Sequence, residues 1–297
     1  MKILVTGSNG LLGQKLTAML DEDPDVTLIA TARTGLKFPL KKGKFVVLDA
    51  TSKEQVDSVI KAERPDVVIH TAAMTQVDQC ETDRDNCWLQ NVTAVENVVH
   101  ACEQTGSRLV HISTDFIFDG THGPLEESAI PNPLSHYGRS KLAGEEAVMK
   151  SKVPWAILRT VLVFGVTKDM SRTNIVLWVK KSLEDGRTID VVNDQWRTPT
   201  LAEDLAAGCV LAAKKNATGI YHISGSEMMT PYDIAVRTAR FFKLNDSLIH
   251  VTDSTRFKQP AQRPPKTGFI IDKAKRDLGY KPHSFEEGLA VLKSQLP

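Results

Sequence analysis

Apolar positions in the first half of the chain fall into short runs, at 3–5, 26–30, 45–48, 67–70, 109–112 and 156–158. The runs are nearly continuous rather than alternating, as in strands buried on both faces. Between them the spacing turns helical, near 11–21, 53–63, 84–105 and 136–150. In the third of these, Val92, Val95, Val98 and Val99 form one stripe, and Ser52 followed by Gln55 reads as a capping box for the second. Strand and helix alternate, which predicts an α/β fold: a doubly wound parallel sheet of Rossmann type. After about residue 165 the texture changes. Helical spacing at 172–185, 201–214, 230–243 and 284–296 is broken by short strand candidates near 188–191 and 219–223, and a Pro-rich turn lies at 260–265. The expected organisation is a dinucleotide-binding domain over 1–165 and a smaller α/β substrate lobe over 166–297, interleaved with the first. The crevice outside the carboxyl ends of the strands is where such sheets hold ligands.

Composition narrows the partners. The 297 residues are 41% hydrophobic and 25% charged, with a formal net charge of +1, so no global field draws in nucleic acid or an anionic membrane. No run approaches the roughly 18–20 apolar residues of a membrane span. Cys80, Cys87, Cys102 and Cys209 form no C-x-x-C pair and no metal-like spacing with histidine, which fits free thiols in a reducing cytoplasm. His70, His100, His111, His136, His222, His250 and His283 are likewise scattered, and no metal is expected.

Chemistry first appears at GSNGLLG, where Gly7, Gly10 and Gly13 join the first strand to the first helix. A glycine turn there lets the backbone N–H groups of Leu11, Leu12 and their neighbours approach a dinucleotide diphosphate at the positive end of the helix. The end of the second strand carries Arg33 where an acidic residue would select NAD, and an arginine clamps a 2′-phosphate, so NADPH is the expected cofactor, with NADH the second choice. Asp49 and Ala50 follow the third strand, at the adenine edge; Ala72, Ala73 and Thr75 follow the fourth, beneath the nicotinamide half.

Two further stretches bear on reaction class. In HYGRSKLAGE, Tyr137 and Lys141 are four apart and share a helix face. A phenol titrates near 10, and an adjacent ammonium favours the tyrosinate. In HISTDFIFDG, Ser113, Thr114 and Asp115 emerge at the carboxyl end of a buried strand. A hydroxyl there, beside Tyr137, would hold a carbonyl oxygen while hydride arrives at carbon and the tyrosine donates the proton. Taken singly, Y-x-x-x-K recurs by chance and S-T after a strand can be a cap. In chain order, behind the glycine turn, they form a catalytic set.

The motifs TGSNGLLG, TAAMTQVD, QNVTA, STDFIFDG and YGRSK…GE together resemble the extended short-chain dehydrogenase/reductases over essentially the whole chain. Within them, TQVD at 75–78, STDFIFDG at 113–120, NDQWRTPT at 193–200 and Arg263-Pro264 with Asp272 look most like the dTDP-4-dehydrorhamnose reductases. The resemblance implies reduction of the 4-keto group of a nucleotide-linked 6-deoxysugar. It implies Thr114, Tyr137 and Lys141 as the catalytic triad, and Gly7, Asn9, Gly10, Asp49, Ala72 and Ala73 at the cofactor, where Leu11, Leu12, Gly13, Arg33, Ala50, Thr75, Ser113, Thr160, Tyr137 and Lys141 are also expected. It places Val77, Thr114, Asp115, Phe116, Tyr137, Leu162 and Arg197 at the substrate, and gives Asn91 the task of holding the active-site helix in register. A homodimer is compatible with it. In some such reductases acidic residues like Glu126 and Glu127 bind magnesium between subunits.

Departures fall on the sugar side. Leu162 stands where these reductases usually carry tryptophan, Phe116 replaces a tyrosine, and Arg197 replaces a glycine, setting a cation where a diphosphate or sugar would lie. A dehydratase of this fold would carry an acidic pair beside the S-T, whereas Asp115 is followed by Phe116; an NAD-retaining epimerase would carry an acid near Arg33. The remaining alternative is a regulatory subunit without turnover, similar to the beta subunit of methionine adenosyltransferase, a relative that binds NADP and a partner enzyme.

Overall fold

A computed structural model of the chain describes residues 1–170 and 173–296. In chain order its first half runs β1 (Lys2–Thr6), α1 (Leu11–Glu22), β2 (Thr27–Ala32), β3 (Lys44–Val47), α2 (Lys53–Glu63), β4 (Val67–His70), α3 (Val77–Thr82), α4 (Arg84–Trp88), α5 (Ala94–Thr105), β5 (Arg108–Thr114), α6 (His136–Lys150) and β6 (Trp155–Thr160). The second half adds β7 (Val163–Phe164), α7 (Ile175–Glu184), β8 (Ile189–Val192), β9 (Thr200–Leu201), α8 (Ala202–Lys214), β10 (Gly219–His222), α9 (Pro231–Phe242), β11 (Ile249–Thr252) and α10 (Phe285–Ser294).

Seven strands form one parallel sheet in the order β10-β6-β5-β4-β1-β2-β3, the doubly wound arrangement with its reversal between β1 and β4. Burial on both faces explains the continuous apolar runs. Ile3 and Val5 pack with Leu16, Leu20 and Cys209 on the α1/α8 side, while Leu4 between them packs with Val56, Ile60, Val95 and Val98 on the α2/α5 side. A second lobe has its own small cores, one joining α7, α9, β8 and β11, the other bringing α9 and α10 against Phe164 and Leu201. No described helix is long and apolar enough to cross a membrane.

Several elements differ from the sequence expectation. The strand expected in the small lobe near 219–223 is β10, which pairs with β6 and extends the large sheet, and α8 packs against α1. Sequence distance hid this, because the chain leaves β6 for the other lobe and returns through α8 before it reaches β10. The helix expected over 84–105 is interrupted by a π-helical turn at Leu89–Thr93. Ser52 caps α2 by accepting from Gln55 N–H, but the Gln55 side chain accepts from Asp49 N–H, so the box is half made. β7, β9, β11 and α3 were too short for periodicity to register. The helix expected to start at 172 begins at Ile175, and position 172 itself lies outside the described residues.

Candidate active site at the carboxyl edge

The turn between β1 and α1 separates two kinds of glycine. Gly7 has φ +69°, and a Cβ there would lie 2.8 Å from Ala72 N; a Cβ on Gly13 would lie 2.2 Å from Gly7 O. Both are needed for the turn itself. Gly10 is different: a Cβ would meet only Gly7 O, at 3.4 Å, an ordinary contact. The space above Gly10 is a cradle that a larger side chain would fill, and α1 begins there without a side-chain cap. Leu11 and Leu12 thus offer first-turn N–H groups at the positive end of a 12-residue helix, the donor set a diphosphate requires. Asn9 joins the rim by donating to Gly35 O (3.0 Å) and accepting from Lys37 N–H (3.1 Å), which holds the loop after Arg33. Arg33 is exposed at the end of β2. Asp49 caps the turn after β3 by accepting from Thr51, and Asn97 holds the Ala50 carbonyl at 3.1 Å. Ala72, Ala73 and Thr75 follow β4 along the same edge.

β5 and α6 carry the candidate reactive groups. β5 ends in Ser113 and Thr114; Ser113 Oγ is buried with no hydrogen-bond partner among the described residues, an orphan that a ligand hydroxyl would satisfy. Ser135 caps α6 by accepting from Gly138 N–H at 3.1 Å, which fixes Tyr137 in the first turn against the Phe116 ring (centroids 5.6 Å, edge-on). Gly138 admits this approach, since a Cβ there would lie 2.2 Å from Phe116 O. One turn on, Lys141 is 3% exposed and donates to Ile112 O at 2.8 Å. Burial pulls its ammonium down to about 8, partly opposed by Glu145. Lys141 therefore holds its proton less firmly than an exposed lysine does. Beneath it the stacked imidazoles of His70 and His111 stay neutral: burial, then the Lys141 charge, holds His70 down to about 3 and His111 well below its ordinary value.

Asn91, expected to hold the active-site helix in register, is placed between the loop after β4 and α6. From the π turn it accepts from Met74 N–H (2.8 Å) and donates to Met74 O (2.9 Å) and Ser140 Oγ (3.0 Å), tying the loop after β4 to α6. Val77, Cys80, Cys87 and Tyr137 pack in one small apolar cluster. Thr160 ends β6 with its hydroxyl 3.4 Å from that of Thr200, and two residues later Leu162 adopts φ +37°, a costly conformation for a side chain branched at Cγ. Arg197 turns inward: it is 4% exposed, and its guanidinium faces Asp115 rather than an open groove. Glu126 is exposed, while Glu127 accepts from His222 N–H at 3.0 Å.

Two groups that matter here escaped the sequence reading. Glu145 and Arg159 form a fully buried pair (2.6 Å) linking α6 to β6, and Thr267 reaches Asp115 from the second lobe. Glu145 lay within a quoted motif; nothing local marks Thr267.

The chain matches the RmlD substrate binding domain family over residues 1–296. It belongs to that family. A dTDP-4-dehydrorhamnose reductase from Bacillus anthracis, solved in complex with NADP, superposes with a TM-score of 0.87 at 27% identity, covering 99% of each chain. A dTDP-4-keto-6-deoxy-D-glucose reductase from Streptomyces niveus is 32% identical over 282 residues, 94% of this chain and 91% of the relative. The methionine adenosyltransferase 2 subunit beta of Xenopus laevis is 31% identical over 258 residues, 85% of this chain and 75% of the relative. The family places the chain among oxidoreductases of the extended short-chain type, as its motifs indicated.

Proposed function

We propose that the chain is an NADPH-dependent reductase of the 4-keto group of a nucleotide-linked 6-deoxysugar. The observation that carries the reading is the placement of Thr114, Tyr137 and buried Lys141 on one sheet edge, along the strand ends from the open cradle at Gly10. Bound nicotinamide would supply the hydride. Tyr137 gives its proton to the carbonyl oxygen, Thr114 holds that oxygen, and Lys141 favours the tyrosinate left behind. Gly7, Asn9, Gly10, Leu11, Leu12 and Gly13 would receive the diphosphate side of the cofactor, Arg33 the 2′-phosphate, Asp49 and Ala50 the adenine edge, and Ala72, Ala73, Thr75, Ser113 and Thr160 the nicotinamide half. Residues 1–165 make up most of the cofactor domain; 166–297 form a substrate lobe that returns β10 to the first. The nucleotide end of the substrate is assigned to a shallow, open depression of that lobe lined by Asn174, Trp178, Asp190 and Phe257. Val77, Phe116 and Leu162 would border the sugar.

The test is NADPH consumption with dTDP-4-keto-6-deoxy-L-mannose generated in situ. Tyr137→Phe is expected to lower kcat by about 10²–10⁴-fold with NADPH affinity retained; a variant as active as the parent sinks the assignment. Gly10→Val is expected to fold, because its Cβ has room, and to weaken NADPH binding by at least about 100-fold by filling the cradle. Unchanged affinity would remove the diphosphate from that turn.

A second reading, a regulatory subunit that binds the cofactor without turnover, draws support from the 31% identity to the Xenopus laevis subunit. Retention of Thr114, Tyr137 and Lys141 weighs against it. Tight NADPH binding with no keto-sugar reduction would favour it.

A further inference from the structure

The second lobe reaches the catalytic edge through a double strap. Residues 193–200 and 261–268 run side by side, with Trp196 N–H donating to Pro265 O at 2.7 Å and Thr267 N–H to Trp196 O at 3.0 Å. At its outer end the strap is anchored by Arg263, which donates through both terminal nitrogens to Asp78 (3.0 and 2.7 Å) at the start of α3. At its inner end two side chains converge on Asp115, the residue after Thr114. Thr267 Oγ1 donates to Asp115 Oδ2, and Arg197 Nε lies 3.6 Å from the same oxygen. The other oxygen, Oδ1, accepts from the Thr114 hydroxyl at 3.1 Å. Arg197 has little freedom to leave: it donates to Pro264 O (2.7 Å), Trp196 O (2.8 Å) and Pro265 O (3.4 Å), and its guanidinium lies 5.9 Å from the centre of the Phe116 ring.

We infer that Arg197 and Thr267 are positioning residues for the reaction: by holding Asp115 they decide which way the Thr114 hydroxyl hydrogen points. The inference rests on the reductase reading above. A hydroxyl has one hydrogen and two lone pairs. One lone pair of Thr114 Oγ1 accepts from Phe116 N–H at 3.3 Å. While Asp115 is ionised, the hydrogen goes to Asp115. When Asp115 carries a proton, the carboxyl can donate to Thr114 Oγ1, and the threonine hydrogen is released toward a carbonyl oxygen. The charged group that faces the carboxyl is Arg197 on the strap, with Arg263 and its partner Asp78 behind Arg197; on α6, Tyr137 packs against Phe116, the residue after Asp115, and Lys141 follows one turn on. Burial pushes the Asp115 carboxyl up, while Arg197 first and Thr267 next pull it back. The second lobe thus holds the balance between the two orientations of a hydroxyl that stands on the first.

The experiment is a pH titration of the Asp115 carboxyl carbon by ¹³C NMR in the full chain with NADPH bound, assigned through Asp115→Asn. It is run beside the pH profile of kcat, for the parent, R197M, R197K and T267V. R197M is expected to raise the apparent pKa of Asp115 by about one unit, a tenfold change in its ionisation constant, and to move the limb of the kcat profile set by Asp115 upward by the same amount. R197K should restore both, T267V should give a smaller shift of the same sign, and NADPH affinity should stay within about twofold of the parent. T267V removes only a hydroxyl, so it serves where R197M fails to fold. An Asp115 titration unmoved in R197M and T267V overturns the inference. So does a moved titration with an unmoved kcat profile, because Asp115 would then not act on the reaction. Absence of turnover in the parent sinks the reductase reading, and with it the reaction half of the inference; the Asp115 titration then decides the clamp alone.

Discussion

Arg159 and Arg197 are both buried opposite a carboxylate, on two sides of the same catalytic edge, and they are built differently. Arg159 donates to both oxygens of Glu145, at 2.6 to 3.2 Å, with its remaining nitrogen on Glu127 O and its plane over Phe118. Each charge there is matched almost entirely by the other. Arg197 stands 3.6 Å from Asp115 and spends its shorter bonds on backbone carbonyls of the strap, while Asp115 spends its own on the hydroxyls of Thr114 and Thr267. A closed pair of the first kind chiefly holds α6 on β6, with a lesser pull by Glu145 on the Lys141 ammonium. A loosely coupled pair of the second kind leaves the carboxylate adjustable and connects it to a reactive group.

Glu145→Gln tests the first half of that contrast and carries the largest expected effect on stability. It leaves the Arg159 charge buried without its counter-charge, which costs about 3–5 kcal/mol. Urea unfolding should read that loss. A double replacement, Glu145→Leu with Arg159→Met, should recover most of it, because apolar groups of similar volume need no counter-charge. If the single variant loses less than about 1 kcal/mol, the pair is not the closed unit described above. The kcat of whatever Glu145→Gln remains folded should fall less than that of Tyr137→Phe, since Glu145 acts through the seating of α6 and through its charge on Lys141 rather than by giving a proton itself.

The same contrast explains what could be read from the chain. The candidate cofactor floor was legible because its parts are local: Gly7, Gly10 and Gly13 lie within one turn, and Tyr137 and Lys141 within one helix turn. The parallel sheet was legible because burial on both faces leaves unbroken apolar runs. The clamp on Asp115 was not, because Arg197 and Thr267 come from 82 and 152 positions away and meet Asp115 only after the second lobe has folded over the edge. Arg197 was visible as a departure from a familiar pattern, but its direction was not; sequence suggested a cation open to a ligand, and the structure buries it. β10 was visible as a strand and misplaced, since its partner β6 lies across an excursion into the other lobe. Leu162 was marked as a substitution, and its positive φ had no local signature, being set by the pairing of β7 with β9.

The outer anchor of the strap offers the mildest test. Asp78 accepts from both terminal nitrogens of Arg263 and from Ala261 N–H, but its side chain is 42% exposed, so water and salt screen the pair. Arg263 chiefly holds the Asp78 carboxyl below its ordinary value; burial opposes it, and the Ala261 N–H and the Arg263 charge add smaller pulls in the same direction as the Arg263 hydrogen bond. A carboxyl whose folded pKa lies below its unfolded one binds more protons in the unfolded chain, so its contribution is full above the unfolded value and is lost as pH falls through the folded one. Asp78→Asn should therefore cost only about 0.2–1 kcal/mol at pH 7. The gap to the parent should close as pH drops below about 4, and should narrow at neutral pH when salt is raised. Urea unfolding of both proteins across that range checks the sign as well as the size. A gap that persists in acid would mean that Asp78 holds the strap by shape rather than charge. A gap as large as that of Glu145→Gln would erase the distinction between a buried pair and a screened one on which the reading of this edge depends.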